Sequence, residues 1–91
     1  MKKGPAQIEM EALLNGAFTP QFLSVTNDSH KHHGHSGDDG SGESHFTIEI
    51  ESAAFEGVSR LMRQRMVNKA LGDMPGQRVH AVVIKARAPG D

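Results

Sequence analysis

The feature that most constrains the fold is a strongly strand-forming stretch near the end of the chain, residues 79–87 (V-H-A-V-V-I-K-A-R). It holds three Val and one Ile in nine residues, with neither Gly nor Pro, a composition typical of a β-strand. A helical pattern precedes it. A strand that returns to its sheet through a helix is expected to run parallel to the strand before that helix. The upstream sequence must therefore supply a sheet that this strand can join.

The cleanest alternation in the chain predicts the strand that it joins. Residues 45–51 (H-F-T-I-E-I-E) place Phe46, Ile48 and Ile50 on one face and polar side chains on the other. This pattern indicates a strand with one buried face and one solvated face. Residues 22–27 (F-L-S-V-T-N) predict a third strand by the same criterion.

A long polar segment joins these two upstream strands. Residues 28–42 are rich in Gly, Ser, His and Asp and contain no aliphatic side chain. They are therefore predicted to be a loop that covers about residues 28–43. A loop of this length in a compact domain is usually functional or disordered. Its position between neighbouring strands favours an antiparallel hairpin.

Helices are predicted on either side of the hairpin. The first covers residues 7–17, with Ile8, Ala12 and the Leu13–Leu14 pair near one face. Residues 52–57 predict a short turn or one helical turn. Ser59 is a suitable N-cap for the main helix, which should end near Leu71 before the C-cap Gly72. Its predicted buried face consists of Leu61, Met62, Met66, Val67, Ala70 and Leu71.

The predicted order is helix–strand–strand–helix–helix–strand, an α+β fold with a three-stranded mixed sheet covered by helices on one face. We expect residues 1–91 to form a single domain with a short flexible tail over residues 88–91. A chain of 91 residues with a net charge of -1 is not the composition of a strongly basic nucleic-acid binder. No apolar run approaches the ~20 residues of a membrane span, so we expect a soluble, cytoplasmic protein without a membrane partner.

The absence of Cys limits the chemistry that the chain can perform alone. With no thiol, disulfides, thiol catalysis and a self-contained Cys-ligated cluster are excluded. We find no Ser-His-Asp arrangement, acid–base carboxylate pair or phosphate-binding loop, and we expect a protein that is not an enzyme. If the chain holds a thiophilic cofactor, a partner must supply the sulfur.

Histidine is the residue type that points to a site. Neutral imidazole is a common metal ligand, and four of these side chains crowd into the loop: His30, His32, His33 and His35. We expect the fold to bring part of this loop close to His80, in the last strand, and we interpret the pair as half of a metal site. The alternatives are a solvated loop, a zinc site within the loop alone, and a His80 that is merely satisfied by hydrogen bonds or partly exposed. His45 is expected to be structural or hydrogen-bonded.

The main helix carries four basic residues and no acidic one: Arg60, Arg63, Arg65 and Lys69. Such a stripe can meet phosphate or an acidic partner surface. The alternative is a solvated helix face. No aromatic residue lies among them, so base stacking is not supported.

Five short motifs, in this order, resemble the BolA-like family. They are N-D-S-H-K-H (27–32), G-E-S-H-F (42–46), F-E-G (55–57), R-Q-R-M-V (63–67) and V-H-A (79–81). Each is weak alone, but together, on the predicted elements, they are specific. The resemblance implies a class II KH-like fold without the G-x-x-G clamp.

The resemblance also implies partnership with a monothiol glutaredoxin, in a heterodimer that bridges a [2Fe-2S] cluster. The matching ligands would be His80 of V-H-A and a loop histidine. His32 is the best match by its distance from Asn27, and His35 is next, with His30 and His33 as alternates. The partner would supply its thiolate and glutathione, so the isolated chain would hold no cofactor. The second implication is a DNA-binding transcriptional regulator of stress response and cell morphology.

Overall fold

The fold is built from three strands and two main helices. The computed structural model describes residues 3–29 and 43–91. The elements are α1 (Pro5–Phe18), β1 (Phe22–Asn27), β2 (His45–Glu51), a short 3-10 helix (Ala53–Phe55), α2 (Arg60–Leu71), a turn (Met74–Arg78) and β3 (Ala81–Arg87). β1 pairs antiparallel with the central β2, and β3 pairs parallel with it. The predicted element order and mixed sheet are confirmed.

The hydrophobic core lies between the helices and one face of the sheet. Phe46, Ile48 and Ile50 of β2 are buried, as their alternation predicts. The helices and the 3-10 helix contribute Met10, Leu14, Phe55, Val67 and Leu71. On the opposite face, Val83 remains 54% exposed. The helices therefore cover the sheet on one face.

Helix α1 packs on a different stripe from the one predicted. Its buried residues are Ala6, Met10 and Leu14, whereas Ile8 is 53% exposed and Leu13 is 36% exposed. Ala12 is exposed as well, so of the predicted face only Leu14 is correct. The Gln7 side-chain amide donates to the Val25 carbonyl oxygen at 2.7 Å. This bond, with the apolar i, i+4, i+8 stripe, fixes the rotation of the helix.

Helix α2 begins at its predicted cap, but the prediction of its first turn is wrong. The Ser59 hydroxyl accepts from the Met62 amide at 3.2 Å. Leu61 and Met62 are 61% and 45% exposed rather than buried. The inward positions of this turn are taken by Arg63 and Gln64, whose side chains donate to carbonyl oxygens at the edge of β3.

The last strand is shorter than predicted, and His80 lies outside it. Val79 bonds back to the preceding turn: its amide donates to Met74 at 2.9 Å and its carbonyl accepts from Gly76 at 2.8 Å. Gly76 has φ +82° in this turn, a conformation that glycine adopts without strain. Pairing with β2 therefore starts at Ala81, and His80 sits in a bend immediately before the strand.

At each outer edge of the sheet, a glutamine side chain from a helix donates a hydrogen bond to a strand carbonyl. Gln7 donates to the Val25 carbonyl on β1 at 2.7 Å, and Gln64 donates to the Ile84 carbonyl on β3 at 2.6 Å. Unpaired edge carbonyls can template pairing with another chain, and each glutamine occupies one such carbonyl. In the part of the chain that the structure describes, no helix is long and apolar enough to cross a membrane.

Candidate metal centre

The base of the site is a set of hydrogen bonds around Ser29, at the end of β1. Ser29 is 4% exposed, and its amide donates to Asn27 Oδ1 at 2.9 Å, an Asx turn. Its hydroxyl oxygen accepts the amide hydrogens of Ser44 and His45 at 2.7 and 3.1 Å. Ser29 therefore fixes the backbone at the start of β2.

The same residue, Ser44, connects this base to the last strand. Its carbonyl oxygen accepts from the amides of His80 and Ala81 at 2.8 and 3.0 Å. Ser44 is fully buried. The backbone of His80 is thus held against the start of β2, although His80 precedes the strand.

This arrangement brings two imidazoles together. The ring centroids of His45 and His80 lie 5.2 Å apart, with the ring planes tilted by 50°. The Nδ1 atom of His45 lies 3.0 Å from the buried hydroxyl of Ser44. His45 is half-buried and His80 is exposed. The sequence predicts a structural or hydrogen-bonded His45 but gives no sign that it lies beside His80.

The proximity of His45 and His80 can be deduced only once the register between β2 and β3 is known. His45 is the first residue of β2, and its parallel partner is Ala81, the residue after His80. Side chains at the same end of adjacent parallel strands are neighbours. The sequence predicts the two strands but not the register between them, so the neighbourhood could not be deduced in advance.

A second group of hydrogen bonds connects the start of β2 to the N-terminus of α1. The Glu43 carboxylate accepts from the Ala6 and Gln7 amides at 3.3 and 3.1 Å. Gly4, the N-cap residue, makes no side-chain cap. Glu43 therefore satisfies donors at the helix N-terminus, where a negative charge is also favourable. The sequence gives no sign of this contact.

The predicted loop ligands His30, His32, His33 and His35 lie outside the described residues. Ser29 and Glu43, which flank the segment that carries them, are both tied to the neighbourhood of His80 through Ser44. Within residues 3–29 and 43–91, no group of three or more His, Cys, Asp or Glu side chains is arranged to hold a metal ion. His45 and His80 can offer two nitrogen ligands, and any further ligand must come from elsewhere.

The donor chemistry fits half of a shared cluster. A [2Fe-2S] cluster takes four ligands, and two imidazoles with two thiolates form a known set. The chain has no Cys, so its contribution is limited to imidazole nitrogen, and the exposed His80 ring is accessible to an incoming partner. His80 is of the ligand type that the family resemblance assigns to this position, and the loop histidine of that assignment lies outside the described residues.

The basic residues of α2 differ in whether their side chains form ion pairs and in how exposed they are. Arg63 forms an ion pair with Asp91, its side chain is only 13% exposed, and its Nε donates to the Val58 carbonyl at 2.8 Å. The Ala88 amide, and then Arg63, hold the pKa of the Asp91 carboxyl below its usual value. Arg65 and Lys69 are exposed. Arg63 therefore anchors the chain after β3 rather than offering a free cation.

Arg60 lines an open cleft between α2 and β3. The cleft has a volume of about 330 Å³ and is bounded by Arg60, Gln64, Ile84, Lys85, Ala86 and Arg87. Arg87 is paired with Glu51 at 2.9 Å. Among the described residues, Arg60 and Lys85 form no ion pair, so they are the free cations of this cleft. It lies at the end of β3 that is remote from His80.

Comparison with known proteins identifies the family. A family model described as BolA-like protein matches residues 14–91. An uncharacterized protein in the cobS 5′ region of Sinorhizobium sp. is 43% identical over 83 residues, covering 90% of this chain and 89% of that protein. Human BolA-like protein 1 is 40% identical over 86 residues, covering 94% of this chain but 60% of that protein. The chain therefore spans less than two thirds of the human relative.

Two further comparisons bear on fold and function. A relative from Vibrio cholerae, named DNA-binding transcriptional regulator BolA, is 36% identical over 75 residues, covering 82% of this chain and 67% of that protein. The solved BolA domain of SufE1 from Arabidopsis thaliana superposes with a TM-score of 0.84 at 31% identity, covering 97% of this chain and 96% of that one. The predicted family resemblance is confirmed: the chain belongs to the BolA-like protein family.

Proposed function

We propose that the chain is a non-enzymatic adaptor of iron–sulfur metabolism that binds a monothiol glutaredoxin and co-ligates a bridging [2Fe-2S] cluster. His80 is the ligand from the described fold. A loop histidine is the second, with His32 and His35 first and His30 and His33 as alternates. The partner and its glutathione supply sulfur. When bound, the cluster would supply electron-transfer or sensing chemistry that the chain lacks.

The observation that carries this proposal is the placement of His80. Its backbone is fixed by the Ser44 carbonyl at 2.8 Å, while its ring is exposed. A fixed backbone with an accessible imidazole suits a ligand that must meet a metal group held partly by another protein. The residues flanking the histidine-rich segment converge on the same Ser44, which supports a second ligand from that segment.

The test is reconstitution of the complex. The chain is mixed with a monothiol glutaredoxin, iron, sulfide and glutathione, and visible absorption and circular dichroism are recorded. The His80→Ala variant should lose or strongly change the cluster spectrum while its far-ultraviolet spectrum stays unchanged. Gln77→Ala, an exposed change in the preceding turn, is the matched control. A cluster spectrum that His80→Ala leaves unchanged would remove His80 from the site.

The second ligand is found by single substitutions. Each loop histidine is replaced by Ala in turn, and the same spectra are recorded. One dominant variant should emerge among His30, His32, His33 and His35. If all four variants match the unmodified complex, the loop histidines are redundant or supply no ligand.

A second candidate function is DNA binding by a transcriptional regulator, favoured by the cleft with the free cations Arg60 and Lys85. A relative bearing this function in its name is consistent with it. Binding to duplex DNA should weaken steeply with salt. Each lost phosphate contact should reduce the slope of log K against log salt by about 0.9.

Arg60→Ala and Lys85→Ala test this candidate. Both variants should lower the salt slope, whereas Lys3→Ala, which removes a cation paired with Glu11 on α1, should not. Equal slopes in all variants would exclude the cleft as the DNA-binding surface.

A further inference from the structure

We propose that the open face of the sheet is an interaction surface for a second copy of this chain, so that two chains form a weak dimer with two-fold symmetry. The open face is the side of the sheet turned away from α1 and α2. Its charged part lies at the end of β3 that is remote from His80, so its occupation does not require the proposed cluster. The order of charged and apolar side chains along β2 and β3 points to this partner.

The open face exposes apolar and β-branched side chains. Val83 of β3 is 54% exposed and Phe22 of β1 is 44% exposed. Val83 lies level with Thr47 of β2, which lies level with Thr26 of β1. Side chains of this kind can pack against a second sheet, because aligned sheets pack face to face at a distance of about 10 Å.

The charged side chains of the open face lie on two adjacent strands. Glu49 and Glu51 belong to β2. The register places Lys85 of β3 level with Glu49, and it places Arg87 level with Glu51. Within one chain, Arg87 Nε lies 2.9 Å from Glu51 Oε1. Lys85 is exposed and forms no ion pair in the part of the chain that the structure describes. An acidic pair on one strand therefore lies beside a basic pair on the next.

This arrangement is self-complementary about one axis. In a two-fold dimer every contact occurs twice, because if one residue contacts a second residue across the interface, the second also contacts the first. An axis that lies between β2 and β3 and runs parallel to them places β2 of one chain over β3 of the other. Glu49 then faces Lys85 of the second copy, and Lys85 faces Glu49 of the second copy. Glu51 and Arg87 meet in the same way.

The same charges disfavour a two-fold axis that crosses the strands at right angles. Such an axis places β2 over β2 and β3 over β3. At the level of Glu49, it would make Glu49 face its own copy and Lys85 face its own copy. Like charges opposed across an interface are unfavourable. The charge pattern therefore selects the axis that runs along the strands.

The available area makes this dimer a weak one. The axis superposes two strands of seven residues each. With a strand spacing of about 4.8 Å and a rise of about 3.3 Å per residue, these strands cover roughly 220 Å² of each sheet. A stable interface buries about 1,200–2,000 Å² of surface in total. We therefore expect dissociation in the micromolar to millimolar range, and association should weaken with salt because the contacts are charged.

Sedimentation velocity of the full chain tests the dimer. The chain contains neither Trp nor Tyr, so interference optics are used. The mass of the unmodified chain should rise with protein concentration from that of one chain towards that of two. Glu49→Lys and Lys85→Glu should each weaken self-association by about tenfold or more, because each creates two like-charge contacts per dimer. Far-ultraviolet circular dichroism checks that every variant is folded.

A mixture of the two variants tests the pairing directly. In a mixed dimer of Glu49→Lys with Lys85→Glu, both contacts join opposite charges, so a 1:1 mixture should associate at least as tightly as the unmodified chain. A chain that carries both substitutions should also self-associate. Glu56→Lys and Lys69→Glu are matched controls, since both positions are exposed and lie outside β2 and β3. Each control should dimerise like the unmodified chain, and mixing the two should add nothing.

Three results would overturn the proposal. The first is a chain that sediments as a monomer at every concentration into the millimolar range, which would leave these charges paired only within one chain. The second is self-association that both single substitutions leave unchanged, which would place the contact on another surface. The third is a mixture of the two variants that fails to associate. None of these results bears on the cluster reconstitution, so the two proposals can fail separately.

Discussion

Ser29 and Ser44 join the two ends of the histidine-rich segment: the Ser29 hydroxyl oxygen lies 2.7 Å from the Ser44 amide nitrogen. Ser44 in turn holds the backbone of His80 through its carbonyl oxygen at 2.8 Å. Three motifs that are distant in sequence therefore meet through one buried serine. This relationship explains why N-D-S, S-H-F and V-H-A occur together in a chain whose candidate ligand is His80.

Removing the Ser29 hydroxyl should destabilise the fold. Ser29→Ala leaves two amide hydrogens, those of Ser44 and His45, without their acceptor. An unsatisfied buried polar group costs about 1–3 kcal/mol, so we expect the free energy of unfolding to fall by roughly 2–3 kcal/mol. Urea denaturation measures this. Ser24→Ala, on the partly exposed face of β1, should change stability by less than about 0.5 kcal/mol, and equal stability of the two variants would contradict the prediction.

The contact between Glu43 and α1 should act as a helix cap supplied from another element. Glu43→Ala removes the acceptor for the Ala6 and Gln7 amides and should reduce the free energy of unfolding by about 1 kcal/mol, as loss of an N-cap does. Hydrogen exchange should become faster at these two amides. Glu56→Ala, an exposed acid after the 3-10 helix, is the control. Unchanged exchange in Glu43→Ala would show that the cap is not formed in solution.

The close approach of Glu43 to Gly4 yields a related prediction. A Cβ atom at position 4 would clash with the Glu43 carboxyl carbon, so Gly4→Ala must displace the carboxylate. We expect Gly4→Ala to accelerate exchange at the Ala6 and Gln7 amides as Glu43→Ala does, with little further effect when the two are combined. Additive effects would mean that Gly4 acts independently of the cap.

The glutamines at the two sheet edges should protect against self-association. Gln64→Leu leaves the Ile84 carbonyl without its donor, and Gln7→Leu leaves the Val25 carbonyl without its donor. Each substitution should lower the free energy of unfolding by about 1–3 kcal/mol. Each should also increase light scattering on partial unfolding, because open edges pair with other chains. Gln21→Leu, an exposed change outside both edges, is the matched control. Scattering equal to that of Gln21→Leu would argue against edge protection.

Asp91 should make stability depend on pH at the acidic end. The Ala88 amide, followed by Arg63, lowers the pKa of its carboxyl in the folded state. The stabilisation is therefore fully present above the unfolded pKa of about 3.9, and it is lost as the pH falls through the folded pKa. Asp91→Asn should be less stable than the unmodified chain at pH 7 and equally stable at the lowest pH. Asp73→Asn controls for net charge, and a pH-independent difference for Asp91→Asn would contradict the linkage.

The local sequence pattern was sufficient to predict features that depend only on residues a few positions apart. The alternation of residues 45–51 predicts the buried face of β2, because successive side chains of a strand point to opposite faces. Ser59 predicts the start of α2, because a hydroxyl at this position meets an amide only three residues away. The strand bounds Phe22–Asn27 and His45–Glu51 follow from the same short-range rules.

The amino-acid sequence by itself determined the order of elements, the parallel placement of β3 and the family motifs, because these depend on periodicity and chain connection. Only the tertiary structure decided that α1 packs through Met10 rather than Ile8, that Arg63 pairs with Asp91, and that His45 lies beside His80. Each of these depends on the rotation of a helix or the register of two strands. Helix rotation and strand register are set by contacts between residues far apart in the chain, so the local sequence pattern does not predict them.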